Sequence, residues 1–169
     1  MKICCLTFDD GPSKYTPQVL AALEKCDAKA TFFVTAQDAN QDYLSYLTDI
    51  EAAGHQIALH SASHSYSRIY SSTENFWLDI KALRATLANY IDVDAIHWLR
   101  FPGGSTNTVS HRYGGRQIMQ QLKAQAEQKA MPGSTGTCAP RTPPPATPTP
   151  PRSCAMSRTM PKTSRFVLF

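Results

Sequence analysis

The sequence predicts an α/β fold, a parallel sheet or barrel with helices on its outside. Three observations lead there. Within residues 1–130, short apolar runs alternate with stretches of helical periodicity, four times in succession. Clusters of reactive side chains fall at the ends of the apolar runs, where strand-end loops of such folds converge. After residue 130 the composition changes abruptly and the alternation stops.

Taken in order, Lys2–Phe8 (KICCLTF) reads as a first strand, broken by the turn-rich Asp-Asp-Gly-Pro. Thr16 and Pro17 look like an N-cap and first helical residue, leading into a helix whose Val19, Leu20 and Leu23 recur at helical spacing. Ala30–Val34 (ATFFV) is a buried strand by its β-branched and aromatic content. Tyr43, Leu44, Leu47 and Ile50 form the next helical stripe, with Gly54 as its C-terminal cap. Gln56–Leu59 (QIAL) is a third strand running into His60. Ser72–Asn89 is a long amphipathic helix with Phe76, Ile80, Leu83 and Leu87 on one side. Ala95–Leu99 (AIHWL) and Ser110–Gln128 complete the pattern as a fourth strand and a fourth helix.

The chain of 169 residues suits one domain. Its net charge of +4 is misleading as a guide to partners. Residues 1–130 carry 12 basic and all 13 acidic residues, whereas residues 131–169 carry five basic residues, no acid and nine of the 12 prolines. The basicity belongs to the tail, so no nucleic-acid or membrane footprint is read from it. No run of 18 apolar residues exists to span a bilayer, and the start shows no cleavable signal pattern. Cys4, Cys5, Cys26, Cys138 and Cys154 form no CxxC pair or regular framework, and Cys4 and Cys5 read as small strand residues.

Residues 131–169 are predicted to be a disordered, Pro/Thr-rich tail. The stretch TPPPATPTPP cannot form helix or central strand, because proline lacks an amide donor. An extended linker is one explanation. A frameshift in the coding sequence fits the abrupt change better. One synonymous coding of KAMPGSTGTC, given one extra base after Lys129, reads KGYAWFDWNV, strand-like text where the βα rhythm requires a strand.

Three polar clusters follow the strands: Asp9 and Asp10 after the first, His60 and His64 after the third, Arg100 after the fourth. Adjacent strand residues face opposite ways. Placed in the turn before Gly11 and Pro12, however, both carboxylates can aim at one centre. His60 and His64 are four apart, so one helical turn would put both rings on one side. One carboxylate plus two imidazoles is a three-ligand set that leaves room for water, the pattern of a catalytic zinc site. The other carboxylate can then accept a proton from that water. Taken singly, these clusters also read as a turn, a Ser-rich loop and an ordinary ion pair. Their shared place in the βα repeat favours the functional reading. His55, His97 and His111 lack comparable spacing and read as structural.

These residues resemble the NodB-type polysaccharide deacetylases, carbohydrate esterase family four. TFDDGP at Thr7–Pro12 resembles the family's first motif, HSASH at His60–His64 its His-Ser-x-x-His second, and RFPGG at Arg100–Gly104 its Arg-x-Pro third. The resemblance covers residues 1–130, a partial NodB homology domain. It implies an incomplete, distorted (β/α) barrel. It implies Asp9 as general base, held ionised and oriented by Arg100, and a divalent metal, zinc, on Asp10, His60 and His64. It also implies that the element containing Pro102 and Gly103 handles oxyanion and substrate, with the Gly103 amide as donor and no aromatic wall there for the sugar. Ser61 would brace the loop by hydrogen bonding, and Gly11 and Pro12 would shape the turn. The implied reaction is removal of N-acetyl groups from an N-acetylglucosamine polymer or oligomer, such as peptidoglycan or chitin, by a monomeric, metal-dependent hydrolase.

The family's fourth motif (an Asp-Trp element) and fifth motif (Leu-x-His, the general acid) find no match, and no histidine follows His111. A truncated, poorly soluble or weakly folded product with little activity is therefore expected. General acid catalysis commonly contributes about 10²–10⁴-fold. The alternatives are a non-catalytic carbohydrate-binding or pseudoenzyme fragment that keeps the metal site, and a different metal hydrolase on the same barrel. Members of this family usually work outside the cell or at its surface, although this chain begins at the first strand without signal or anchor.

Overall fold

The computed structural model describes residues 4–129; the tail and frameshift readings concern residues that lie outside them. At its centre is a parallel sheet of three strands in the order β1-β2-β3, formed by β1 (Leu6–Gly11), β2 (Ala30–Thr35) and β3 (Gln56–Ser61). The middle strand, ATFFVT, is buried except at Thr31, as a continuous apolar run in a parallel sheet should be. Between the strands run α1 (Thr16–Lys25) and α2 (Tyr46–Ala52), the latter preceded by a 3₁₀ turn at Asp38–Tyr43. After β3 come a short helix, α3 (Tyr66–Ile69), and the long α4 (Thr73–Leu87).

Helix α4 shows how the sequence dictates its place. Ser72 caps it by accepting from the Asn75 amide at 3.2 Å. Phe76, Ile80, Leu83 and Leu87 then form the buried stripe that packs the helix on β3. Burying each such side chain contributes about 1.5–3 kcal/mol, which fixes the helix against the sheet more firmly than propensity could. Helix α2 packs on β3 as well, through Leu47 and Ile50.

Several expectations need correction. Thr16 is the first helical residue and not the cap. Its hydroxyl accepts from the Ser13 amide at 2.9 Å and closes the preceding turn. Ala95–Leu99 does not form a strand. Val93–Ala95 winds into a 3₁₀ turn capped by the Asp92 carboxylate, which takes Ala95 out of the expected strand. What survives is a single parallel bridge between Leu59 and Leu99, made by Leu59 N–H donating to Trp98 at 2.8 Å and Arg100 N–H to Leu59 at 2.9 Å. The fourth helix is divided into α5 (His111–Gly114) and α6 (Ile118–Gln128). Gly115, at φ +79°, breaks the helical path between them. Cys5 and Cys26 are both disulfide-bonded and Cys4 is free, so Cys5 is more than a small strand residue.

Candidate metal and active site

The site begins with two irregularities in the ladder. On β1, Asp9 pairs with Phe33 and Gly11 with Val34, so Asp10 is an extra residue with no partner in register. On β3, Leu59 pairs with Val34 and Ser61 with Thr35, which leaves His60 as the extra residue. Such bulges re-aim a side chain at the cost of local pairing. Asp10 sits at φ +66°, a left-handed conformation that aspartate tolerates better than most residues. Both carboxylates thus remain within β1, and the bulge does what the sequence reading assigned to the turn. The turn itself is braced by buried Asn40. Its amide donates to the carbonyls of Asp10 at 3.0 Å and Pro12 at 2.8 Å, and its oxygen accepts from the Thr35 hydroxyl at 2.8 Å.

His64 reaches the same place by another route. It lies in a loop at φ +50°, not one helical turn beyond His60, so the expected helical geometry is replaced by a strand end plus a left-handed residue. The Asp10 Oδ1 atom stands 3.5 Å from His60 Nε2 and 3.3 Å from His64 Nε2. Ligand atoms of all three residues lie within 4.8 Å of one another. Asp10 is exposed, His60 buried and His64 between them, so the cluster is approached from the carboxylate side.

The donor chemistry suits a divalent ion. His60 Nδ1 lies 2.7 Å from the Arg100 carbonyl oxygen, which can only accept. The proton therefore resides on Nδ1 and the Nε2 lone pair faces Asp10 and His64. Burial pushes the His60 pKa below its ordinary value, against the opposing pull of the Asp9 carboxylate, the Arg100 carbonyl and Asp10. A neutral imidazole with a free Nε2 is the form that ligates metal.

Beside this cluster, Arg100 donates to Asp9 Oδ1 at 2.7 Å and to the Thr7 hydroxyl at 3.1 Å. Its guanidinium lies over the Phe33 ring, 3.9 Å from the centroid. The following residues, Pro102 and Gly103, take different positions. Pro102 is buried, and its carbonyl accepts from the Tyr70 hydroxyl at 2.7 Å. Burial raises the Tyr70 pKa, which keeps it a donor. Gly103 is exposed at φ +77°, and a Cβ there would stand 2.7 Å from the Tyr66 hydroxyl. Tyr66 in turn packs edge-on against His64, with ring centroids 5.6 Å apart, so Gly103 and the imidazole cluster share this aromatic neighbour.

Two buried polar residues escaped the sequence reading. Asn40 carried no signal beyond its residue type. Asp79 did: it falls between Phe76 and Ile80 on the apolar stripe of α4, where a carboxylate is out of place. His55 is buried against Phe32, with ring centroids 5.5 Å apart, and its Nδ1 has no partner among the described residues.

Together these features define a βα-repeat protein with an Asp/His/His cluster at its strand ends and a carboxylate–guanidinium pair beside it. The family model for polysaccharide deacetylases matches residues 1–126, and the chain belongs to that family. A peptidoglycan-N-acetylglucosamine deacetylase of Bacillus cereus is 36% identical over 90 residues, 53% of this chain and 32% of the relative. A chitin deacetylase of Pestalotiopsis is 47% identical over 62 residues, 36% of this chain and 21% of the relative. The solved catalytic domain of a peptidoglycan N-acetylglucosamine deacetylase from Eubacterium rectale shares 41% identity at a TM-score of 0.68, over 75% of this chain and 56% of that one. An acetyl xylan esterase of Clostridium thermocellum, solved with a cobalt ion, is 30% identical with a TM-score of 0.52, over 64% of this chain and 53% of that one. The chain thus spans about half the length of these solved structures and less of the curated relatives.

Proposed function

We propose that the chain is a metal-dependent hydrolase that removes N-acetyl groups from N-acetylglucosamine-containing polysaccharide, peptidoglycan or chitin-like. One observation carries this reading: the ligand atoms of Asp10, His60 and His64 gather within 4.8 Å, with the Asp9–Arg100 pair beside them. Asp10 Oδ1 and the two Nε2 atoms would hold the ion, with zinc as the resident metal. A divalent ion held there supplies Lewis acidity toward the amide carbonyl and toward water.

The chain's own residues do the rest. Asp9 takes the proton from the attacking water, and Arg100 orients its carboxylate through the 2.7 Å bond. The Gly103 amide donates to the developing oxyanion. The parallel sheet belongs to an incomplete (β/α) barrel, in a partial NodB domain acting as a monomer on glycan.

Acetate release from chitooligosaccharide by the full chain, with zinc or cobalt supplied, tests the proposal. Release is expected, stopped by a chelator and by either Asp9→Asn or Asp10→Ala. Release that is indifferent to all three, or no release from protein shown to hold the ion, would refute it.

A further inference from the structure

We infer that Asp79 is a positioning residue that holds the loop between the two imidazoles in its ligating shape, an inference that rests on the metal-site reading above. Asp79 lies on α4, 5% exposed, with no cation in ion-pair range among the described residues. All four of its hydrogen bonds go to one place. Its Oδ2 accepts from the Ser61 hydroxyl at 2.7 Å and the Ala62 amide at 2.8 Å. Its Oδ1 accepts from the Ser63 amide at 3.0 Å and the Ser63 hydroxyl at 2.6 Å. Ser61, Ala62 and Ser63 are all the residues between His60 and His64.

The chain of contacts continues to the second imidazole. The Ser61 hydroxyl that donates to Asp79 accepts from the His64 amide at 2.8 Å. His64 is held at φ +50°, a left-handed conformation that costs a side-chain-bearing residue backbone strain. Position 79 faces the core between Phe76 and Ile80, where an apolar residue would pack without the desolvation penalty of a carboxylate. Every lone pair that offsets that penalty is spent on the ligand loop. α4 is fixed to β3 by its apolar stripe, so Asp79 anchors the loop to a helix packed on the sheet beside the site.

Cobalt titration of the full chain tests this, with Kd read by chelator competition, the visible absorption of bound Co²⁺ recorded, and the metal-free melting temperature measured in parallel. Asp79→Asn turns one acceptor into a donor and should weaken Co²⁺ binding about 10–100-fold, the range for outer-shell partners. It should also alter the absorption band while leaving the metal-free protein folded. Should that variant not fold, Ser61→Ala and Ser63→Ala, each deleting one hydroxyl donor to the same carboxylate, carry the test by the same readouts. Binding that is abolished by Asp10→Ala but unchanged in Asp79→Asn, or in the two serine variants, overturns the positioning role alone. Binding that Asp10→Ala leaves unaltered strikes the metal-site reading itself, and the role of Asp79 falls with it.

Discussion

Replacing Arg100 with methionine keeps most of the apolar stem of the side chain and deletes its guanidinium. The structure sets the size of the loss. Arg100 and Asp9 side chains are 13% and 19% exposed and meet at 2.7 Å, so Asp9 would be left as a mostly buried carboxylate without its partner. Breaking a buried pair from one side costs about 3–5 kcal/mol. The remaining exposure of Asp9 places this case near the lower end, at about 3 kcal/mol. Loss of the cation–π contact with Phe33 adds about 0.5–1 kcal/mol. In a domain of this size that is a fall of about 10 °C in melting temperature. Urea unfolding followed by circular dichroism measures it, in wild type and in an Asp9→Asn background. Without the Asp9 charge, Arg100→Met should cost about 1 kcal/mol, so the cycle should report coupling of about 2 kcal/mol or more. A cost below about 1 kcal/mol in wild type, or equal costs in the two backgrounds, would refute the claim that the guanidinium exists to hold this carboxylate.

Two further perturbations follow from backbone strain and from burial. Gly103→Ala should destabilise by about 1–2 kcal/mol from the left-handed backbone alone, with an added clash against the Tyr66 hydroxyl. Thermal melts should show a smaller penalty in a Tyr66→Phe background, and identical penalties would dismiss the clash. His55 gives a pH signature. Burial, with Lys29 adding to it, lowers its pKa from 6.5, so below that value the unfolded chain binds the proton and the folded one does not. Stability present above pH 6.5 is therefore lost as the pH falls through that value, with His60 acting in the same direction. Urea midpoints at about pH 7.5 and about pH 5.5 should differ less in His55→Phe than in wild type; equal differences would remove His55 from the account.

Which residues gather at the site was legible in the sequence, because the chemistry needs particular side chains and those are scarce: two adjacent carboxylates, two spaced imidazoles and one arginine, each after an apolar run. The path by which they gather was not. A spacing of four suggests a helical turn, yet His60 closes a strand and His64 sits on a left-handed residue. Spacing constrains contour length and leaves the dihedrals free, so the two geometries look alike in a string of letters. The fourth strand failed for a related reason. AIHWL has strand composition, but the Asp92 cap diverts Val93–Ala95 into a turn, so Ala95 leaves the run and the rest keeps only the Leu59–Leu99 bridge.

The two bulges show why this site needs irregular strands at all. Asp9 shares its register position with Phe33, whose ring carries Arg100, so this carboxylate and its guanidinium partner belong to one side of the sheet. In an unbroken strand the next residue, Asp10, would point to the opposite side. The extra residue on β1 and the positive φ at Asp10 reset that phase, and Asp10 comes within 3.5 Å of His60, the bulged residue two strands away. The sequence carries half of this device openly. Proline at position 12 cannot donate to a ladder, so β1 ends at Gly11, just past the bulge, and Asn40 holds the departing turn by its Asp10 and Pro12 carbonyls. On β3 no proline or glycine marks the break. There the extra residue is His60, and Ser61, back in register with Thr35, is held by its hydroxyl's bond to Asp79 eighteen residues later.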